Sequence, residues 1–214
     1  MSIWSLVPIK SFKRPKSRLN DVLSLEQRRS LVKQMLVQIL RNQINSNLFV
    51  QNLVVTEDEE VISFVKKIGV KGILQKKPGL NQGIKEAVSF SIKNNAKSIL
   101  ILHGDIPEAD KDSLVKITNS HNNLIKRYGK GITLSSDIMG SGSNCMICTP
   151  PDAIKFRYGI DSCSSHLEEA DRNGVQIKLF QSEKFAFDID VYSDLSLFLK
   201  RNKYSDLEDY LLDV

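Results

Sequence analysis

Apolar positions along the chain fall into two periods that alternate. Ile3 to Ile9 is a mostly apolar run that predicts a strand, and Ser24 with Gln27 three residues on is a capping-box pattern that predicts a helix start. Leu31, Val32, Met35, Leu36, Ile39 and Leu40 then share one helical face. Leu48 to Thr56 predicts a second strand, Glu57 to Ile68 a helix with Val61, Ile62, Val65 and Ile68 inward, and Val70 to Leu74 a third strand. Asn81 to Asn95 is helical in pattern. Ser98 to Leu102 is so uniformly apolar that it predicts a central strand covered on both faces. Such alternation predicts an α/β fold: a mostly parallel, Rossmann-like sheet with helices on both sides, in three layers.

The pattern loosens after Asp105. It gives a helix from Lys111 to Lys126, a strand at Ile132 to Ser135, a Gly/Ser loop, and a strand at Cys145 to Thr149 closed by Pro150 and Pro151. A helix from Ser162 to Asn173, strands at Val175 to Phe180 and Phe185 to Ile189, and helices over Ser193 to Lys200 and Leu207 to Leu211 complete the chain. Without a linker, repeat or composition break, residues 1–214 read as one domain.

Composition narrows the class. With 41% hydrophobic and 26% charged residues and no low-complexity tract, the chain is neither disordered nor fibrous. No apolar stretch approaches the ~20 residues of a membrane span, and the first residues lack a basic leader region, so neither a membrane partner nor a targeting segment is expected. Three cysteines do not make a disulfide framework, which points to a reducing, cytoplasmic setting. The net charge of +5 fits either nucleic acid or a small anion. Where the charge sits decides between them.

It is concentrated in one loop. Between Lys10 and Arg18 stand five cations and no acid, directly after the first strand. In an open parallel sheet, ligands bind at the carboxyl ends of the strands, so this loop is a candidate triphosphate cradle; a solvated loop or a nucleic-acid contact is the alternative. Gly104-Asp105-Ile106-Pro107 follows the most buried strand, where a carboxylate either holds Mg²⁺ on a phosphate or caps a helix. Asp188-Ile189-Asp190 ends a late strand, and a D-x-D pair puts both carboxylates on one side of an extended chain. They would repel unless a cation sits between them.

Other signals are weaker. Gly140 to Asn144 and Phe156 to Ser162 combine small residues with a helix-start Ser, a pattern that suits an anion but also describes two ordinary turns. Asn81 is a base-reading candidate or a plain N-cap. Cys145-Met146-Ile147-Cys148 with Cys163-Ser164-Ser165-His166 has zinc-like spacing. Residues three apart on a strand face opposite sides, however, which argues against a shared zinc. His103 reads as a strand-end residue and His121 as exposed. A basic nucleic-acid-binding module is the competing class; aromatics at 7% give it no stacking platform.

Together these segments resemble the phospholactate guanylyltransferases of coenzyme F-420 biosynthesis over nearly the whole chain. The matches are Val7-Pro8-Ile9-Lys10 with Lys16-Ser17-Arg18-Leu19, Gly79-Leu80-Asn81, Gly142-Ser143-Asn144, Pro150-Pro151-Asp152-Ala153 with Phe156-Arg157-Tyr158-Gly159, and Asp188-Ile189-Asp190 with Asp194-Leu195. The resemblance implies a glycosyltransferase-A-like nucleotidyltransferase. It would move GMP from GTP to a small phosphorylated acid, namely 2-phospho-L-lactate, phosphoenolpyruvate or 3-phospho-D-glycerate. By the same resemblance Asp105, Asp188 and Asp190 would bind Mg²⁺, and Lys16 and Arg18 would hold phosphates, with Pro8, Lys10 and Asn81 beside the nucleotide. Ser143, Asn144, Gly159 and Ser162 would hold the acid. The family commonly has P-A-D-L-P where this chain has His103-Gly104-Asp105-Ile106-Pro107, and Thr where it has Ser143. Another cofactor or sugar-phosphate nucleotidyltransferase is the alternative within the enzyme class. A homodimer is compatible with the sequence, which does not set the oligomeric state.

Overall fold

The computed structural model describes residues 2–212. Strands β1 (Ile3–Pro8), β2 (Gln51–Thr56), β3 (Lys71–Leu74), β4 (Ser98–Leu102), β5 (Gly131–Ser136), β6 (Ser143–Thr149) and β7 (Ile177–Leu179) form one sheet in the order β3-β2-β1-β4-β6-β5-β7. Pairs β1–β2, β1–β4, β2–β3 and β5–β7 are parallel, while β6 runs antiparallel to both β4 and β5. Among the described strands only β6 is reversed, so the sheet is mixed but mostly parallel.

Helices cover both faces. Helix α1 (Leu25–Ser46) opens with the Ser24/Gln27 capping box, each side chain taking a bond from the other residue's N–H at 3.2 and 3.0 Å. It packs with α2 (Glu59–Lys67), α4 (Lys111–Tyr128), α7 (Tyr192–Arg201) and α8 (Leu207–Leu212) on one face. On the other lie α3 (Leu80–Lys93) and α5 (Ser162–Arg172). In β4, Leu100 and Leu102 enter the first core and Ile99 and Ile101 the second, which is why that strand is apolar throughout. No described helix is long and apolar enough to cross a membrane.

Three sequence expectations are corrected. Phe185 to Ile189 is not a strand: α6 (Glu183–Ala186) is a one-turn helix capped by Ser182, and the chain then continues extended without a ladder. Phe185, Phe187 and Ile189 are buried in alternation, so the period is that of a strand, but the segment is held by isolated bonds rather than a ladder: Ile189 N–H donates to the Asp105 carbonyl at 3.1 Å and the Phe185 carbonyl accepts from Asn144 Nδ2 at 3.0 Å. His121 is fully buried rather than exposed, its imidazole bonded to Thr133 Oγ1 at 3.1 Å and Thr149 Oγ1 at 2.7 Å. The strand expected from Cys145 begins two residues earlier, at Ser143. Cys145 and Cys148 do lie in opposite cores, and all three cysteines are buried free thiols.

Candidate active site

The strand order sets where a ligand can enter. From β1 the chain moves to β2 on one side, and β4 flanks β1 on the other, so the loops after β1 and β4 diverge and leave a crevice at the carboxyl end of the sheet. A cavity of about 990 Å³ opens there, lined by the basic loop from Pro8 to Arg18, by Gly79 and Leu80 at the start of α3, and by His103, Gly104, Asp105 and Asp190.

The basic loop is built, not loose. Phe12 is fully buried and meets Phe64 edge-on at 5.5 Å, and Leu19 is buried as well. Asp58, the N-cap of α2, takes bonds at one oxygen from Ser11 Oγ at 2.6 Å and Phe12 N–H at 3.0 Å, and at the other from Glu60 N–H at 2.9 Å. Burial raises the Asp58 pKa, but these bonds outweigh it and hold the carboxyl below its ordinary value. Arg28 closes the far end by donating to the Pro15 carbonyl at 2.9 Å. An isolated solvated loop would have no such anchors.

At the loop's apex Lys16 adopts a left-handed backbone, φ 46° and ψ 56°, a conformation costing a non-glycine residue roughly 1 kcal/mol. This aims its side chain inward. Nζ lies 2.7 Å from Asp105 Oδ2 and 2.7 Å from Asp190 Oδ1, while the more exposed Arg18 reaches Asp190 Oδ2 at 3.3 Å. Burial alone would lower the Lys16 pKa; the two carboxylates more than compensate and raise it. Burial likewise works against the charge of Asp105, and Lys16 reverses that, leaving its pKa below the ordinary value.

Asp188 completes the acidic group. One oxygen each from Asp105, Asp188 and Asp190 lie within 4.8 Å of one another. Unlike Asp105, Asp188 has no cation at hydrogen-bond distance among the described residues; burial first, then Asp105 and Asp190, push its pKa up to about 6. An all-oxygen donor set of this size suits a hard divalent cation, and the ammonium already bridging two of its members shows that it accepts positive charge. Zinc-like spacing at the cysteines produces no comparable cluster among the described residues.

The other sequence-predicted residues divide between the cavity wall and the segments beside it. Pro8 and Lys10 line the cavity. Asn81 lies in the first turn of α3, but the cap is Gly79; its amide instead exchanges two bonds with the Tyr158 backbone, at 2.9 and 2.8 Å. Gly159, at φ 141°, follows directly in a backbone conformation that favours glycine, and Ser162 begins α5. Ser143 and Asn144 stand at an irregular step: Ser136 pairs with Ser143 and Ser135 with Cys145, so Asn144 is an extra residue in β6. The two neighbouring side chains reach different partners. Asn144 Nδ2 donates to the Phe185 carbonyl at 3.0 Å and lies 3.5 Å from Asp188 Oδ1, while Ser143 Oγ lies 2.9 Å from His166 Nδ1.

Sequence reasoning missed Asp58, whose capping role was legible in principle but whose grip on the basic loop was not, and it met His166 only as part of a zinc-like spacing, whereas the imidazole lies between Ser143 Oγ and the Arg157 N–H. His103 also matters more than expected. Its N–H donates to the Asn144 carbonyl at 3.2 Å, a bond that proline could not make, and its Nε2 is buried without a partner among the described residues, beside Tyr158 with ring centres 5.0 Å apart. Gly104 fits the same picture, since a Cβ there would run into Ile9.

The family model described as guanylyl transferase CofC like matches residues 3–213. The chain belongs to this family. Among curated CofC-like relatives, phosphoenolpyruvate guanylyltransferase of Rubrobacter xylanophilus is 30% identical, the match covering 92% of this chain and 93% of that protein. The 2-phospho-L-lactate guanylyltransferase of Methanocaldococcus infernus is 30% identical, with coverage of 89% and 82%. The 3-phospho-D-glycerate guanylyltransferase of Colwellia psychrerythraea is also 30% identical, with coverage of 90% and 89%. A solved nucleotidyl transferase from Methanothermobacter thermautotroptrophicus superimposes with a TM-score of 0.65 at 14% identity, covering 95% of this chain and 97% of that one. The CofC-like chain thus has a nucleotidyltransferase fold.

Proposed function

We propose that this protein transfers GMP from GTP to the phosphate of a small phosphorylated acid, releasing diphosphate, as a step of coenzyme F-420 biosynthesis. The observation that carries the reading is the Lys16 ammonium, held between Asp105 and Asp190 where the basic loop meets the end of β4. An acceptor phosphate oxygen attacks the α-phosphorus of GTP, the bond to the β-phosphate breaks, and diphosphate leaves. The acceptor is already an anion, so no general base is required. What opposes the reaction is the approach of two polyanions.

The chain's cations answer that problem. Lys16 and Arg18 screen the phosphates and orient them in line, with Lys10 and Pro8 along the same wall and Asn81 steadying the segment beside the nucleotide. Asp105, Asp188 and Asp190 would hold the divalent cation, which we assign as Mg²⁺ and which when bound offsets charge on the α-phosphate and the leaving diphosphate. Ser143, Asn144, Gly159 and Ser162 form the acid-binding side, around the bulge and the start of α5. Cations that converge on carboxylates in one crevice favour a triphosphate over a nucleic-acid strand. Buried free thiols suit a reducing cytoplasm.

The test is diphosphate release from GTP with a divalent cation and, in parallel, 2-phospho-L-lactate, phosphoenolpyruvate and 3-phospho-D-glycerate, with CTP and ATP as controls. Release with GTP and one acid is expected and names the acceptor. GTP binding without release for any of the three would overturn the acceptor class, and equal release from CTP would overturn the guanine assignment.

A further inference from the structure

Ser143 and His166 carry an inference that deepens the acid-site reading and rests on it. The Arg157 N–H donates to His166 Nε2 at 2.9 Å, and a backbone amide can only donate. Nε2 is therefore unprotonated. A neutral imidazole must then carry its hydrogen on Nδ1, so at 2.9 Å it is Nδ1–H that donates and Ser143 Oγ that accepts. The Ser143 hydroxyl hydrogen is left over, and no acceptor for it is found among the described residues.

The arrangement is enclosed and held from several directions. His166 is fully buried on α5, with Tyr158 edge-on at 4.8 Å. Arg157 is pinned by its Nε donating to Glu169 Oε1 at 2.6 Å, one turn along the same helix. Burial first, with His103 adding to it, lowers the His166 pKa to about 4, so the imidazole is neutral at ordinary assay pH. The two bonds at the His166 ring thus fix one tautomer, and that tautomer makes Ser143 Oγ the acceptor toward His166 and leaves its hydroxyl hydrogen available to another partner.

We propose that His166 is a positioning residue, which sets the Ser143 hydroxyl as a hydrogen-bond donor to the carboxylate of the acceptor acid. The chemical class it selects is an anionic oxygen: an ester or amide at the same place would accept a weaker bond.

Two measurements test this. In ¹⁵N NMR of the intact wild-type protein, His166 is expected in the Nδ1–H tautomer; the Nε2–H tautomer overturns the proposal. In steady-state kinetics, Ser143→Ala and His166→Leu should each raise KM for the acid by about 10-fold or more, with KM for GTP within about twofold of wild type. The double variant should be no worse than Ser143→Ala alone, and His166→Asn, which keeps an N–H near the Nδ1 position, should recover much of the loss. If His166→Leu costs as much in the Ser143→Ala background as in wild type, its role is structural and the proposal fails while the acid site stands. If Ser143→Ala leaves KM for the acid unchanged, the acid site itself is misplaced and the proposal falls with it.

Discussion

Replacing Lys16 by alanine removes the one buried ammonium that neutralises Asp105 and Asp190, and the structure predicts opposite effects on metal affinity and on turnover. Nζ lies 2.7 Å from each carboxylate, so a divalent cation entering the same group must displace it or sit against it. At an effective dielectric near 20, a unit charge about 4 Å away is worth roughly 4 kcal/mol, and solvent reaching the half-exposed Asp190 reduces that several-fold. The expectation is divalent binding at least ~10-fold tighter in Lys16→Ala than in wild type, read by titration calorimetry without GTP. Turnover should fall by ~10² or more, because the cation that orients the phosphates is gone. Stability should drop by only about 1–2 kcal/mol, since both carboxylates retain solvent contact. Lys16→Gly should recover roughly 1 kcal/mol of this by relieving the left-handed backbone. A folded Lys16→Ala protein with unchanged metal affinity and near-normal turnover would refute the reasoning.

Asp188→Asn should lower turnover by at least ~10²-fold with the fold intact, checked by diphosphate release and circular dichroism; normal activity would remove Asp188 from the metal group. Asp58→Ala should cost about 2–4 kcal/mol in urea unfolding, by uncapping α2 and stranding the buried Phe12 N–H, and should raise KM for GTP as the basic loop loosens. His121 has its pKa lowered to about 4 by burial, so the unfolded chain takes up a proton before the folded one does. Stability is full above about pH 6.5, declines as pH falls toward 4, and levels off below that, a loss of roughly 3 kcal/mol. His166, with its pKa lowered to the same value, contributes a like slope, so His121→Gln should make the decline shallower in pH-dependent melting without abolishing it; an unchanged slope would exclude His121 as a source.

The parallel half of the sheet was legible because its strands and helices differ in period, and strand parity alone separated Cys145 from Cys148. The reversal of β6 was not. Its apolar run, Cys145 to Thr149, is buried on both faces, so the pattern is the same whichever way the strand points. Phe185 to Ile189 misled for a related reason: burial in alternation needs only an extended chain against a core, whereas a strand also needs a neighbour with free backbone groups. Lys16, Asp105 and Asp190 were recognisable as chemistry from residue type and strand-end position, but not as a bonded trio. The bulge at Asn144 and the Ser143–His166 contact depend on a one-residue register slip and a packing partner 23 positions away, and neither leaves a trace in local pattern.

The three buried thiols have a practical consequence. Burial raises the pKa of Cys145, Cys148 and Cys163, so at neutral pH they are almost wholly protonated and shielded from reagents. The native protein should therefore react slowly with maleimides and similar probes, so that labelling at a new site can be tried in the wild-type background. Ile160, 94% exposed between Gly159 and Asp161, offers a place for one reactive thiol. A fluorophore on Ile160→Cys would sit at the edge of the turn proposed to bind the acid and should report its occupancy, separating the arrival of the acceptor from the chemistry that follows.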